Sequence, residues 1–320
     1  MPVNASSSSA SPSEEQSDIS VFAPWPLFTV TIECLASGGD EVYFHAGGQA
    51  VWVARMVTGL ERNVTLVGPF GGETKHMLEA LVQAEGIGLR SVAVKGANGG
   101  YVNDRRSGTR EEVASVTPPC LNRHEIDDLF NATLAEGIRC GTAVVTGIPD
   151  GEVLPVEFFG RLVKDLRANG VKVVADVAGT VLDAIEEGLT VLRASYDDLE
   201  AASLVMDDNR DELIKAISKL QHKADNIVVS RAGSGSFALW DGELLEVKGP
   251  EISARDNTGG GDSMTAALAV AISAGMSGAD ALRLASAAAA LNLTRHGRGT
   301  GKLKDIEVLA RQVEILEVAS

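Results

Sequence analysis

The stretch Asp256-Asn257-Thr258-Gly259-Gly260-Gly261-Asp262-Ser263-Met264 decides how the rest of this 320-residue chain is interpreted. Its consecutive glycines permit positive φ angles and let the backbone approach a ligand closely. A run of small residues from 265 to 274 follows, which predicts a helix that ends at Gly275. The glycine N–H groups would then lie at a helix N-terminus, where unpaired donors and the helix dipole favour an anion.

One carboxylate, Asp262, stands in the first turn of that predicted helix. Phosphoryl transfer to a hydroxyl needs an acid that orients the hydroxyl and accepts its proton, next to amides that stabilise charge on the moving group. Asp262 is therefore the predicted general base, and Gly259, Gly260 and Gly261 are predicted to form the anion hole. The alternative for so short a motif is a loop whose aspartate only complements the helix dipole.

Two other nucleotide-binding motifs do not account for the sequence. The Walker pattern G-x-x-x-x-G-K-[ST] does not occur. Gly233-Ser234-Gly235-Ser236-Phe237-Ala238 has the spacing of a dinucleotide-binding loop, but residues 237–242 read as a strand and a turn instead of a helix. A dinucleotide fold is therefore not predicted.

Composition limits the class of partner. The formal net charge of −16 argues against nucleic acid or a membrane surface, and it requires local donors for any anionic substrate. The cysteines are widely spaced at positions 34, 120 and 140, which suits a reducing cytoplasm and gives neither a disulfide framework nor a metal-binding pattern. No apolar span typical of a membrane helix is present, so a cytoplasmic protein is expected.

The chain is predicted to contain a tail and one folded domain. Residues 1–23 are predicted to be a disordered tail, because the segment begins Ser-rich and acidic. Strands alternate with helices through residues 24–320, which predicts a parallel sheet with ligands at the carboxyl ends of its strands. Alternating short segments at roughly 38–46 and 89–117 are predicted to form a small β-lid.

Three arginines lie close together on the predicted lid: Arg105, Arg106 and Arg110. Guanidinium groups bind phosphate in a bidentate manner, and an acidic protein needs such a local patch for a phosphorylated substrate. The arginines are therefore predicted to hold a phosphate on the acceptor. A solvated hairpin surface is the alternative interpretation for each of them taken singly.

Several motifs resemble those of one family. D-N-T-G-G-G-D-S-M resembles the D-T-T-G-A-G-D signature of the PfkB (ribokinase-like) carbohydrate kinases, and its Asp-Ser-Met ending is most similar to the phosphofructokinase branch. Residues 47–54 resemble G-G-K-G-x-N-V-A, with Gln49, Ala50 and Trp52 replacing Lys, Gly and Asn. Residues 195–198 cover the family's N-x-x-E position, and residues 230–235 resemble S-L-G-x-x-G. Together these motifs lie in family order within residues 27–300.

The resemblance implies an α/β, ribokinase-like three-layer fold: a central, mostly parallel sheet flanked by helices, with a small β-lid. It implies ATP-dependent phosphorylation of a sugar or sugar phosphate, with Mg²⁺ required and K⁺ a candidate monovalent ion. The 1-phosphofructokinase and tagatose-6-phosphate kinase branch makes a ketohexose phosphate the expected acceptor. A homodimer through the lid is a candidate assembly.

The resemblance also implies roles for individual residues. The nucleotide side would comprise Ser195, Ser230, Gly233, Gly235 and Ser286. The substrate side would comprise Asp40, Gly47, Gly48 and Gln49, together with the lid residues Arg105 and Arg106. The metal side would comprise Asp198, acting through water, and Asp256 near a monovalent cation.

Two alternative functions remain open at this stage. One is a kinase of an unphosphorylated sugar or a nucleoside on the same fold. The other is a ligand-binding regulator with reduced catalysis, which the departures at Gln49, Trp52 and Ser195/Asp198 would suit. The intact glycines and Asp262 argue against the regulator. For Trp52, stacking on a sugar face and burial in the core are both compatible with the sequence.

Overall fold

The structure is a computed structural model that describes residues 19–35, 37–148, 153–253, 258–295 and 297–318. Its strands are Ile19–Phe22 (β1), Leu27–Cys34 (β2), Asp40–Gly47 (β3), Val64–Gly71 (β4), Gly88–Val94 (β5), Gly100–Asp104 (β6), Glu111–Val116 (β7), Thr142–Thr146 (β8), Lys172–Asp176 (β9), Leu189–Ser195 (β10), Ala224–Ser230 (β11), Ser236–Trp240 (β12), Glu243–Lys248 (β13) and Glu314–Glu317 (β14).

The helices are Gln49–Gly59 (α1), Lys75–Ala84 (α2), Arg123–Cys140 (α3), Glu157–Ala168 (α4), Gly179–Ala184 (α5), Tyr196–Ala201 (α6), Arg210–Leu220 (α7), Gly260–Ala274 (α8), Gly278–Leu293 (α9) and Leu303–Ala310 (α10). Across the described ranges, none of these helices combines the length and the apolar character needed to cross a membrane.

Ten of the described strands form one sheet in the order β14-β13-β12-β11-β10-β9-β8-β1-β4-β5. The strands from β11 to β5 in this order run parallel, and β12, β13 and β14 pair antiparallel at the other edge. Strands such as β8 and β4 are buried along their whole length, as expected of parallel strands that are covered on both faces.

Helices cover both faces of this sheet and divide the core in two. One apolar cluster joins α1, α2, α8, α9 and α10 to one face, and the other joins α3 to α7 to the opposite face. The alanine-rich sequences of α8 and α9 let these two helices pack together while both remain buried. The result is the predicted three-layer α/β/α arrangement.

A second sheet forms the lid, with strand order β3-β2-β6-β7. Because β-strand side chains alternate, one lid face carries polar residues such as Thr31, Tyr43 and Asn103, while the other carries Val30, Phe44 and neighbouring apolar groups. Phe44 is 51% exposed, so much of the apolar face is open to solvent.

Two predicted boundaries differ from the structure. Part of the predicted 1–23 tail is strand β1, which lies between β8 and β4 in the middle of the main sheet and is fully buried. Residues 1–18 lie outside the described residues. The lid prediction was also wrong in part, because β5 within the 89–117 segment pairs with β4 in the main sheet, whereas Leu27–Cys34, which was not assigned to the lid, is its second strand.

Candidate active site

The glycine loop and the start of α8 form one edge of the site. Gly259 is the N-cap of α8 in the left-handed conformation, with φ of 80°, and Asp262 stands in the first turn as predicted. A Cβ built on Gly259 would lie 3.0 Å from Asn292 Nδ2 and 3.2 Å from Arg298 Cβ. Asn292 Nδ2 donates to the Thr258 carbonyl at 2.9 Å. The loop is therefore held tightly, with its backbone N–H groups at a helix start that favours an anion.

A buried ion pair lies against this loop. Arg193 at the end of β10 donates through Nη1 to Asp176 Oδ1 at 3.2 Å, and the two side chains are only 11% and 7% exposed. Thr265 Oγ1 donates to Asp176 Oδ2 at 2.8 Å, and this added hydrogen bond offsets part of the desolvation cost of the pair. A Cβ on Gly261 would lie 2.6 Å from the Arg193 guanidinium, so only glycine fits there without displacing the arginine.

The environment of Asp262 suits a proton acceptor. The side chain is half-buried. Burial, and after it the negative charge of Asp176, raises the pKa of Asp262 to about 7, while Arg193 and Arg298 lower it. A general base is most effective when its pKa lies near the working pH. The arrangement can therefore take a proton from a hydroxyl that lies beside it.

Of the predicted nucleotide residues, Ser230, Gly233 and Gly235 lie at or just after the end of β11, and Ser286 lies in the middle of α9. Ser230 Oγ accepts a hydrogen bond from Arg193 Nη2 at 2.7 Å, which joins this strand end to the ion pair below the glycine loop. Gly233 is in a short 3₁₀ turn, and Gly235 adopts φ of 82°. Ser286 is buried on α9, and its Oγ lies 3.2 Å from a Cβ built on Gly249. The structure therefore brings Ser230 to the glycine loop.

Ser195 and Asp198, at the family's N-x-x-E position, cap a helix in this structure. Ser195 is the N-cap of α6, and Asp198 Oδ2 accepts from the Ser195 backbone N–H at 2.8 Å and from its hydroxyl at 2.5 Å. No group of three or more His, Cys, Asp or Glu side chains in the described residues could hold a metal ion. Asp256, predicted near a monovalent cation, lies outside the described residues.

A cavity of about 270 Å³ lies between the polar face of the lid and helix α1. Its arginines, within the described part of the chain, are Arg55, Arg105, Arg110 and Arg298, and the rest of the lining combines polar lid residues with Ala46, Trp52 and Gly297. The Thr29 hydroxyl, on this lining, is buried without a hydrogen-bond partner in the described residues. The four arginines make this cavity cationic, which suits a small anionic ligand.

The structure separates the predicted substrate residues into two groups. Arg105 lines the cavity, where its Nε lies 4.0 Å from Glu33 Oε1. Arg106 instead pairs with Asp104 at 2.6 Å and with Asp40 at 3.0 Å, and neither Arg106 nor Asp40 is among the described residues that line the cavity. This ion pair accounts for both side chains at the exposed end of the lid.

Residues 47–49, from the motif that resembles G-G-K-G-x-N-V-A, mainly shape the backbone where β3 meets α1. Gly48 is the N-cap of α1 with φ of 99°, and a Cβ on it would lie 2.6 Å from the Trp25 carbonyl. Gly47 ends β3 beside Thr29. Gln49 Nε2 donates to the Asp176 carbonyl at 3.4 Å, so this side chain points toward the end of β9. Gln49 thus links α1 to the strand that carries the buried aspartate.

A family model described as "pfkB family carbohydrate kinase" matches residues 31–305. The chain belongs to this family. It is therefore a carbohydrate kinase, which implies ATP as the phosphoryl donor and Mg²⁺ as its companion ion. The resemblance predicted from the glycine–aspartate stretch is confirmed.

Relatives within this family of kinases include two curated proteins. The 1-phosphofructokinase of Haloferax volcanii is 24% identical over 287 residues, which covers 87% of this chain and 90% of the relative. The tagatose-6-phosphate kinase of Staphylococcus epidermidis is 23% identical over 279 residues, which covers 85% of this chain and 89% of the relative. The alignments thus extend over most of both proteins.

A solved structure supports the fold of this kinase. Phosphofructokinase-2 from Escherichia coli, in complex with potassium, superposes with a TM-score of 0.83 at 20% identity. The match covers 92% of this chain and 98% of that one. At this identity the likeness shows the fold, and the predicted ribokinase-like three-layer architecture is confirmed.

Sequence reasoning missed three charged residues of this kinase. Asp176 and Arg193 are register partners at the ends of the neighbouring strands β9 and β10. Arg193 is the lone charge of β10, and Asp176 ends β9 after the apolar residues 173–175, which was a usable signal for a buried pair. Arg298 lies in the segment between α9 and α10, far in sequence from every motif, and no sequence pattern marks it.

Proposed function

We propose that this kinase transfers the γ-phosphoryl group of ATP to a hydroxyl of a ketohexose phosphate bound between the lid and α1. The supporting observation is the cavity itself, where the guanidinium groups of Arg105 and Arg110 lie on the lid side in a chain of net charge −16. A dianionic acceptor needs such a local patch to overcome the overall field. The named relatives act in the same substrate class.

In this proposal Asp262 accepts the proton of the acceptor hydroxyl. Its half-buried position and its pKa near 7 allow it to be ionised at neutral pH and still bind a proton. The N–H groups of Gly259, Gly260 and Gly261 stabilise the charge on the transferring phosphoryl. Because the helix start already orients these donors, little energy is needed to reorganise them during the reaction.

The site is compatible with Mg²⁺ held mostly by water and phosphate. Mg²⁺ keeps several waters and takes one or two carboxylates, so a site that lacks clustered acids in the described residues does not conflict with it. Asp198 and Ser195, joined in their capping box, are the residues proposed to orient metal-bound water. Bound Mg²⁺ would neutralise phosphate charge. A K⁺ ion near Asp256 and a cytoplasmic location remain part of the proposal.

We also propose that a second copy of the chain covers the apolar face of the lid. Phe28 and Phe44 stack on this face at 5.8 Å, and Val42 and Val116 are 48% and 66% exposed. An apolar sheet face left in water is typical of an interface. Sedimentation should show a dimer that Phe44→Glu converts to monomer, and an equally monomeric wild type would contradict this assembly.

ADP release in a panel of acceptors tests the function. The panel comprises fructose 1-phosphate, fructose 6-phosphate, tagatose 6-phosphate, fructose and adenosine, each with ATP and Mg²⁺. We expect kcat/KM to be highest for one of the phosphorylated ketohexoses. Preference for fructose or adenosine would favour the kinase of an unphosphorylated acceptor, and no release with any compound would favour the catalytically reduced regulator.

A further inference from the structure

Arg298 lies where the acceptor cavity meets the glycine loop. Arg55 Nη1 donates to the Arg298 carbonyl at 2.8 Å, which fixes the backbone to α1. Asn292 Oδ1 accepts from the Thr300 N–H at 3.3 Å while its Nδ2 holds Thr258. Arg55 is itself bonded to Glu85 at the end of α2. The segment that carries Arg298 is therefore tied both to the cavity wall and to the glycine loop.

The side chain of Arg298 spans the same boundary. Its stem packs against Gly259, and its Nε donates to Thr258 Oγ1 at 3.2 Å. Its guanidinium carbon lies 4.3 Å from the centroid of the Trp52 ring, and both residues line the cavity. Such stacking restricts the guanidinium to one plane and fixes its positive charge where the cavity meets the glycine loop.

The position of Trp52 matches neither of the two interpretations that the sequence left open, which were stacking on a sugar and burial in the core. Trp52 is part of the cavity lining and is only partly exposed, so it is not a fully buried core residue. One face of its indole is covered by the Arg298 guanidinium, so a sugar cannot stack on that face. The indole instead serves as a platform for a cation beside the first glycine of the anion loop.

We propose that the Arg298 guanidinium, held flat on Trp52, contacts a phosphate oxygen at the point where the acceptor cavity meets the glycine loop. This inference rests on the proposed phosphoryl transfer and adds a catalytic residue to it. A phosphoryl group that passes from the glycine N–H donors to an acceptor in the cavity crosses this boundary. A fixed cation there stabilises the charge that the group carries during transfer.

Binding of inorganic phosphate tests this contact without any acceptor. Calorimetric titrations at low ionic strength would compare wild type, Arg298→Gln and the matched control Arg295→Gln, whose parent side chain pairs with Asp305 at 2.8 Å away from the cavity lining. The same comparison in an Arg105→Ala/Arg110→Ala background removes the lid contribution. Loss of one charge-assisted contact should weaken phosphate binding by roughly 10- to 150-fold in Arg298→Gln.

The kinetic arm separates this inference from the proposed function. With the best acceptor, Arg298→Gln should lower kcat by a similar factor of roughly 10- to 150-fold while the KM for ATP changes by less than about threefold. Arg298→Lys, which restores the charge, should recover part of kcat. Trp52→Ala should resemble Arg298→Gln, and the double variant should be no worse than the single one.

Different results would overturn the role of Arg298 and the proposed phosphoryl transfer. The role of Arg298 would be overturned if Arg298→Gln bound phosphate and turned over like wild type. It would also be overturned if wild type bound no phosphate. A protein that binds phosphate through Arg298 but phosphorylates no acceptor would overturn the proposed function and leave the contact standing. Melting temperatures of all variants would identify any that fail to fold.

Discussion

The carboxyl ends of the central strands beside the glycine loop, called the edge below, and the β-lid differ in how they hold charged side chains. At the edge, Asp176 and Arg193 are almost completely buried, and each is held by further hydrogen bonds. On the lid, Arg106 in the loop after β6 and Asp40 at the start of β3 are about half exposed and pair in water. A buried charge that loses its partner costs far more than an exposed one. The edge therefore tolerates little change, whereas the lid can vary.

This difference bears on some of the departures from the family pattern, although Ser195 and Asp198 also depart from it at the end of β10. The glycines and Asp262 are intact beside the buried ion pair. Trp52 lines the cavity proposed for the acceptor, whereas Gln49 on the same helix donates to the Asp176 carbonyl. Substitution at the edge should thus affect catalysis, and substitution on the lid should affect the choice of acceptor.

Asp262→Asn should give the largest effect. Loss of a general base lowers kcat by on the order of 10²–10⁴-fold, while ATP binding should persist because the glycine loop is unchanged. Steady-state kinetics and nucleotide titration would measure the two quantities. A variant that keeps more than about a tenth of the wild-type kcat, a barrier change below ~1.4 kcal/mol, would remove Asp262 from this role.

The lid arginines should give the next largest effect, and the structure divides them. Arg105→Ala and Arg110→Ala remove guanidinium groups from the cavity, so the KM for a phosphorylated acceptor should rise by roughly 10- to 150-fold. Arg106→Ala is the matched control, because Arg106 is bonded to Asp104 and Asp40. Its KM should change by less than about threefold. Equal effects from all three variants would show that the patch acts only through its summed charge.

The raised pKa of Asp262 predicts a stability gain in Asp262→Asn at high pH. The unfolded carboxyl ionises near its ordinary value of 3.8, whereas the folded one ionises near 7. Folding is therefore penalised increasingly as pH rises from about 4 to 7, and the penalty is constant above that range. At pH 8 the free energy of unfolding of Asp262→Asn should exceed that of wild type by on the order of 1–4 kcal/mol, which a higher melting temperature would reveal. The advantage should shrink by pH 5, and a gain that does not depend on pH would contradict the burial of this charge.

Deletion of residues 2–18 should have the smallest effect, since this segment belongs to neither region. Its Ser-rich composition offers few side chains to bury, so melting temperature and kcat/KM should stay within error of wild type. Deletion through Phe22 is the contrasting variant, because it removes strand β1 from the centre of the sheet. A clear loss in the shorter deletion would show that the segment docks on the domain.

The fold was largely predictable because alternation of strands and helices, with glycine-rich turns, is a local property. The failures were not local. Ile19–Phe22 is four residues long and follows a polar segment, so nothing nearby marks it as a central strand. The alternation in Leu27–Cys34 predicts a strand but not the sheet to which it belongs.

For the site as well, the features that are local in sequence were predicted and those that depend on the tertiary fold were not. Asp262 and the glycines form one continuous motif, and the structure places them at a helix start as the motif implied. Arg193 and Arg298 reach this motif only through the tertiary fold, from separations of about 70 and 40 residues along the chain. Arg106 was included because neighbours in sequence were treated as neighbours in space, whereas only its companions line the cavity.

The central position of β1 also has a consequence for how the protein folds. Ser20 pairs with Thr65 on one side and with Ala143 on the other, so the strand made early joins a partner that is synthesised more than a hundred residues later. Contacts of such long separation slow folding, because the loop must close before they form. Until β8 emerges from the ribosome, the edge of β1 that β8 will cover exposes unpaired N–H and C=O groups, so the incomplete sheet is open to wrong pairing in that interval.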